Sequence, residues 1–127
     1  MLKSKIHRAT VTDADLHYEG SISIDLDLLE AADILPHEHV HVWDVTNGNR
    51  FETYTLAAPR GSGTMCINGA AAHLAKKGDV IIITTFITIA ENEIKNYEPR
   101  VALVNSQNRI VHEKSSNILG HAPKKSN

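Results

Sequence analysis

Alternating apolar and polar side chains mark the first recognisable element, Ile6-His7-Arg8-Ala9-Thr10-Val11-Thr12, which reads as a half-buried strand. Asp13-Ala14-Asp15 interrupts that alternation, and Leu16-His17-Tyr18 resumes an extended pattern before Glu19-Gly20-Ser21. Asp25 is placed to cap a short helix reaching about Ala32, with Leu26, Leu28 and Leu29 on its inner face. Residues 40–45 and 50–56 flank Asn47-Gly48, a pair that accepts the positive φ angles of a tight hairpin turn, so two antiparallel strands are predicted. Met65-Cys66-Ile67 predicts another strand. Asn68-Gly69 then turns into a short helical segment ended at Lys77-Gly78. Residues 80–89 are β-branched almost throughout, which predicts a strand buried on both faces, and residues 101–104 form a last strand. Residues 112–127 are polar and aperiodic, and a flexible tail is expected there.

Many short strands with small helical insertions predict a mainly β chain, a small closed or nearly closed barrel in a single domain over residues 1–127. Thirteen basic and fifteen acidic side chains give a net charge of -2, without a lysine-arginine stripe. General attraction to nucleic acid or anionic lipid is therefore not expected. The single cysteine, Cys66, excludes an internal disulfide framework and a multi-thiolate zinc site, and reads as a small buried side chain. No apolar run approaches the ~20 residues that span a bilayer, and the first residues lack a secretion pattern, so a cytoplasmic location and no membrane partner are expected.

Four clusters carry the candidate chemistry: Lys5-Ile6-His7-Arg8; Leu16-His17-Tyr18-Glu19-Gly20-Ser21-Ile22; Asn47-Gly48-Asn49-Arg50-Phe51-Glu52-Thr53-Tyr54; and Asn68-Gly69-Ala70-Ala71-Ala72-His73. In this order and at these separations the chain, from about Lys5 to Val104, resembles the bacterial aspartate 1-decarboxylases. The resemblance implies a double-psi β-barrel assembled as a homotetramer with intersubunit sites. It implies conversion of L-aspartate to β-alanine and carbon dioxide, supplying pantothenate and coenzyme A synthesis. It also implies a covalent pyruvoyl group derived from Ser21, with neither metal nor pyridoxal phosphate, after autocatalytic cleavage at Gly20-Ser21 into a β chain 1–20 and an α chain 21–127. Some relatives depend on an activating protein for that maturation.

On that resemblance, the Ser21 hydroxyl attacks the Gly20 carbonyl and converts the amide into an ester. Elimination at the Ser21 α-carbon cuts the chain and leaves dehydroalanine, which hydrolyses to the pyruvoyl group and ammonia. Gly20 suits this step because it has no Cβ to block the approach. Thr53 is expected to polarise the Gly20 carbonyl, and Asn68 to donate to an oxyanion. In turnover the substrate amine forms a Schiff base with the position-21 ketone, and Tyr54 returns the proton, since a phenol stays protonated at neutral pH. Arg50 and Lys5 are expected to hold the retained carboxylate, and the backbone of Gly69, Ala70 and Ala71 to approach the substrate closely. His7 and Glu19 are assigned to proton movement during maturation. Tyr18 serves either packing or positioning of the cleavage loop.

Each of these residues has a plainer reading. Thr53 alone is a β-former, Arg50 and Lys5 alone are solvated charges, and Asn68-Gly69 alone is a turn. Thr53 and Tyr54 are adjacent and point to opposite faces of a regular strand, which favours a site between subunits, whereas Arg50 and Tyr54 share a face. His37, His39 and His41 form an H-x-H-x-H pattern. They read first as a solvated strand face. The alternative is a non-enzymatic oligomeric barrel that binds metal through these three histidines.

Overall fold

The computed structural model describes residues 1–114 of the chain. Among the described residues, nine strands form one mixed sheet: β1 (Leu2–Thr10), β2 (Asp13–Asp15), β3 (Ser21–Asp25), β4 (His39–Asp44), β5 (Arg50–Ala58), β6 (Met65–Asn68), β7 (Val80–Phe86), β8 (Arg100–Val104) and β9 (Ile110–Lys114). Helix α1 (Leu26–Ala32) and two 3₁₀ segments, Gly69–His73 and Glu91–Asn96, are the helical insertions. Among the described residues no helix is long and apolar enough to cross a membrane. The strand order is β2-β6-β3-β5-β4-β7-β1-β8-β9, so long crossovers join neighbours distant in sequence. This is the mainly β, small-barrel architecture expected from the pattern.

The core lies between inward-facing rows contributed by most strands. Ile6 and Ala9 of β1, Ile22 and Ile24 of β3, Val40 and Val42 of β4, Met65 and Ile67 of β6, and Ile81 and Ile83 of β7 are all buried. Side chains two apart on a strand share a face, so the residues between these point outward and remain available for chemistry. Asp25 ends β3 and starts α1: its Oδ1 accepts from the Asp27 N–H at 2.8 Å, the expected cap. Leu28, Leu29, Ala31 and Ala32 form the buried face of α1, with Leu26 only partly covered, a correction to the inward set expected.

Other boundaries also move. Asp13–Asp15 is itself a strand, pairing in parallel with Cys66, Ile67 and Asn68, while Leu16 and His17 form a turn. Asp residues are poor strand formers, but here the backbone ladder with β6 decides, and the Asp15 Oδ1 accepts from the His17 N–H at 3.0 Å to close the turn. The helical segment after Asn68 is one 3₁₀ stretch that ends at His73, short of Lys77-Gly78, and β7 ends at Phe86 rather than Ile89. Residues 112–114, assigned to a flexible tail, lie in β9 opposite Leu103, Ala102 and Val101. The rest of that tail, residues 115–127, lies outside the described residues.

The β4–β5 hairpin is present with Trp43 opposite Arg50 and His39 opposite Tyr54. Its turn is longer than a two-residue one. Gly48 alone of the pair has positive φ (80°), and the Asp44 Oδ1 gathers the Thr46 and Asn47 N–H groups at 2.8 and 3.1 Å. The Asn47 and Asn49 side-chain amides both donate to the Leu74 carbonyl, each at 2.9 Å, which ties the hairpin tip to the chain just beyond the first 3₁₀ segment.

Candidate active site

Ser21 opens β3 directly opposite Asn68, the last residue of β6. Both are buried. The Asn68 amide nitrogen donates to the Ser21 Oγ at 2.9 Å and to the Ser23 Oγ at 3.1 Å, so both of its hydrogens are used. The Ser21 hydroxyl in turn donates to the Glu19 carbonyl at 3.4 Å, across the Gly20 peptide. The Ser21 hydroxyl is thus shielded from water and tethered from both sides.

Gly69 follows Asn68 and has φ of 76°, a conformation that favours glycine. A Cβ placed there would lie 2.6 Å from the Gly20 Cα, 2.8 Å from the Gly20 nitrogen and 3.0 Å from the Tyr18 carbonyl oxygen. The Gly20 backbone therefore rests directly on the Gly69 backbone. Absence of a side chain at position 69 is what lets the segment before Ser21 sit where it does. Gly20 itself has open space where its Cβ would be.

Arg50 and Tyr54 lie on the exposed outer face of β5, with Glu52 between them. The Arg50 guanidinium carbon stands 4.7 Å from the centre of the Trp43 ring, a cation–π contact that fixes the charge over an aromatic surface. Trp43, Arg50, Glu52, His41 and Phe86 line a surface hollow of about 370 Å³. Thr53 occupies the opposite side of β5, paired with the buried Val40. No bulge interrupts the β4–β5 register, so the adjacent Thr53 and Tyr54 do face opposite ways.

Glu52, His41, Thr84 and Lys5 form one row across β5, β4, β7 and β1. Three strand spacings separate the ends of that row, roughly 14 Å between Lys5 and Glu52 backbones. Lys5 and Arg50 therefore share a face without sharing a single carboxylate-sized pocket in one chain. Among the described residues, no hydrogen bond or ion pair joins Ser21 to Thr53, Tyr54, Arg50 or Lys5. Burial holds the Lys5 ammonium below the usual lysine range. Burial, then the charges of Lys5 and Arg8, hold His7 below the usual imidazole value. The buried His7 Nδ1 has no hydrogen-bond partner. Cys66 is pushed upward by burial and by Asp13 and Asp15, so it stays a thiol, with its Sγ 3.2 Å from the Asn68 Oδ1.

The shared face of Arg50 and Tyr54 is the one expected from their spacing of four along β5, whereas the Ser21–Asn68 contact and the packing of Gly20 on Gly69 were not specified by the sequence. Glu19 reaches Ser21 through its carbonyl oxygen. Tyr18 is exposed, and its carbonyl takes part in the packing against Gly69. Ala70 and Ala71 follow Gly69 in the 3₁₀ segment, Ala70 exposed and Ala71 partly covered. His37 is not on the histidine strand: it precedes β4 with φ of 74°, and Glu52 takes its place beside His39 and His41. Two residues escaped sequence reasoning. Trp43 was legible as the hairpin position facing Arg50. Thr84, fully buried with an unpartnered Oγ1 between the His41 and Lys5 positions, gave no signal in a uniformly β-branched run.

Residues 1–111 match the family model described as aspartate decarboxylase. A protein of Myxococcus xanthus (strain DK1622) named aspartate 1-decarboxylase is 55% identical over 120 residues, covering 94% of this chain and 92% of its own length. Another of the same name, from Syntrophus aciditrophicus (strain SB), is 57% identical over 112 residues, covering 88% of this chain and 97% of its own length. A match over most of the chain, with relatives this similar along nearly their whole lengths, places the protein in the aspartate decarboxylase family.

Proposed function

We propose that this chain decarboxylates L-aspartate to β-alanine and carbon dioxide with a pyruvoyl group made from its own Ser21. The observation that carries the proposal is the buried Ser21 hydroxyl, tethered by Asn68 beside a Gly20 backbone seated on Gly69. These residues fit the group: position 21 is excluded from water, and the Asn68 amide is placed to donate to an oxygen there. Attack by the Ser21 Oγ on the Gly20 carbonyl forms the ester. Loss of the Ser21 α-proton with departure of the Gly20 carboxylate severs the chain, and water then releases ammonia. The products are a β chain 1–20 and an α chain 21–127.

Once formed, the ketone supplies the electron sink that departure of a carboxylate requires. The chain's own residues supply the rest. Arg50, fixed on Trp43, binds the carboxylate that the product keeps, by paired hydrogen bonds. The Tyr54 hydroxyl returns a proton to the carbon that lost carbon dioxide. Backbone N–H groups of Gly69, Ala70 and Ala71 border the substrate, and Thr53 and Asn68 assist the scission.

The separation of Lys5 from Arg50, and of the outer-face Tyr54 from the inner-face Thr53, supports a site completed by a second copy of the chain. A homotetramer is the assembly this reading adopts. The product would feed pantothenate and coenzyme A synthesis in the cytoplasm. The relatives' names favour this enzyme over a non-enzymatic barrel.

Replacing Ser21 with Ala tests the whole reading. Intact-mass measurement should find two fragments in the parent protein and one uncut chain in the variant, which evolves no carbon dioxide. Carbon dioxide evolution from aspartate by the uncut variant would overturn the assignment.

A further inference from the structure

The H-x-H-x-H pattern leaves a cluster that decarboxylation does not use. His39 and His41 are two apart on β4 and so project from the same face. Glu52 of β5 stands directly across from His41. One ligand atom from each of the three lies within 4.8 Å of the others. The His39 Nε2 and Glu52 Oε1 are already 2.7 Å apart, and the two imidazole centroids are 5.1 Å apart. His41 is further held edge-on to Phe86, with ring centroids 5.2 Å apart.

We infer that His39, His41 and Glu52 form a binding site for a divalent transition-metal ion of the zinc class. Two imidazoles and one carboxylate are a donor set that such ions take in tetrahedral or slightly expanded geometry, with a coordination position left for water or a ligand carboxylate. Bond lengths of about 2.0–2.2 Å place the donors of a tetrahedral site nearer together than 4.8 Å. The His39 and Glu52 side chains, 65% and 59% exposed, are free to close that gap. The ion replaces the proton shared between His39 and Glu52, so little new order is required. Its charge would enter the hollow that Arg50 lines.

The test is binding, read without turnover and so independent of the decarboxylase assignment. The full protein as purified, cut or uncut, is titrated with Co²⁺, followed by visible absorption, and with Zn²⁺ in competition with a chromophoric chelator. The expected result is one ion per chain, with affinity at least about tenfold weaker in His39→Ala, His41→Ala and Glu52→Gln. His37→Ala, outside the cluster, should bind as the parent does. Melting temperatures close to the parent's would show that these exposed substitutions leave the fold intact. Absence of saturable one-to-one binding overturns the site. So does unchanged affinity in Glu52→Gln, or an equal loss in His37→Ala.

Discussion

Replacing Gly69 with Ala isolates the seat of the proposed scission from the groups that perform it. The new Cβ would lie 2.6 Å from the Gly20 Cα, where ordinary contact is 3.4–4 Å, so the two backbones must part by about 1 Å. The obstructing atoms are backbone and cannot swing aside. An alanine at φ of 76° adds about 1–2 kcal/mol of local strain. Total stability falls by an amount a domain of this size can absorb, since folded margins are about 5–15 kcal/mol. The rate of cutting suffers more. Reacting groups misplaced by about 1 Å lose on the order of a hundredfold in rate. Time-resolved intact mass, run well below the variant's melting temperature, should show fragments 1–20 and 21–127 accumulating about a hundred times more slowly than in the parent. Scission at the parental rate in a folded Gly69→Ala chain would refute the claim that this packing sets the geometry of attack.

Two further substitutions probe separate links. Tyr54→Phe should slow carbon dioxide release and β-alanine formation by about 10²–10⁴-fold, as loss of a proton donor does, yet leave the mass fragments intact; failure of scission instead would reassign Tyr54 to maturation. Burial, and then the Asp79 carboxyl beside it, push Asp44 up to about 6, while hydrogen bonding to Asp44 holds Asp79 below the carboxylate range. The buried Asp44 Oδ2 lacks a partner when both groups are ionised, because neither can donate. The folded state then binds more protons than the unfolded chain between the ordinary carboxylate range and about 6, so this pair's contribution is present at lower pH and is lost as pH rises through that window. Asp44→Asn keeps the acceptor for Thr46 and Asn47 and gains a donor toward Asp79. Its melting temperature should overtake the parent's as pH rises, by about 1–3 kcal/mol in stability near neutrality, and a pH-independent difference would contradict the shared proton.

Local chemistry was legible where a residue solves its own backbone problem. Asp25 caps α1, Gly69 takes positive φ, and the β4–β5 pattern declares a hairpin. What escaped depends on partners distant in sequence. The strand at Asp13–Asp15 exists because β6, some fifty residues later, offers a ladder that propensity cannot foresee. His37 broke from its pattern because its N–H bonds to the Thr55 carbonyl at 2.7 Å in a turn, and Glu52 entered because pairing with β4 placed it there. The Ser21–Asn68 contact likewise follows from an antiparallel register that joins residues 47 positions apart.

The two asparagine amides clasping the Leu74 carbonyl make the hairpin tip a pin as well as a turn. A one-residue slide of β5 would exchange its two sides, sending Arg50 and Tyr54 into the apolar interior and bringing Thr53 out. Anchoring the tip to the stretch that begins at Gly69 sets the positions of Arg50 and of the Gly20–Ser21 peptide from a common reference point. Lengthening the loop between residues 44 and 50 should therefore slow the proposed scission and the proposed turnover together, although it touches neither Ser21 nor Arg50.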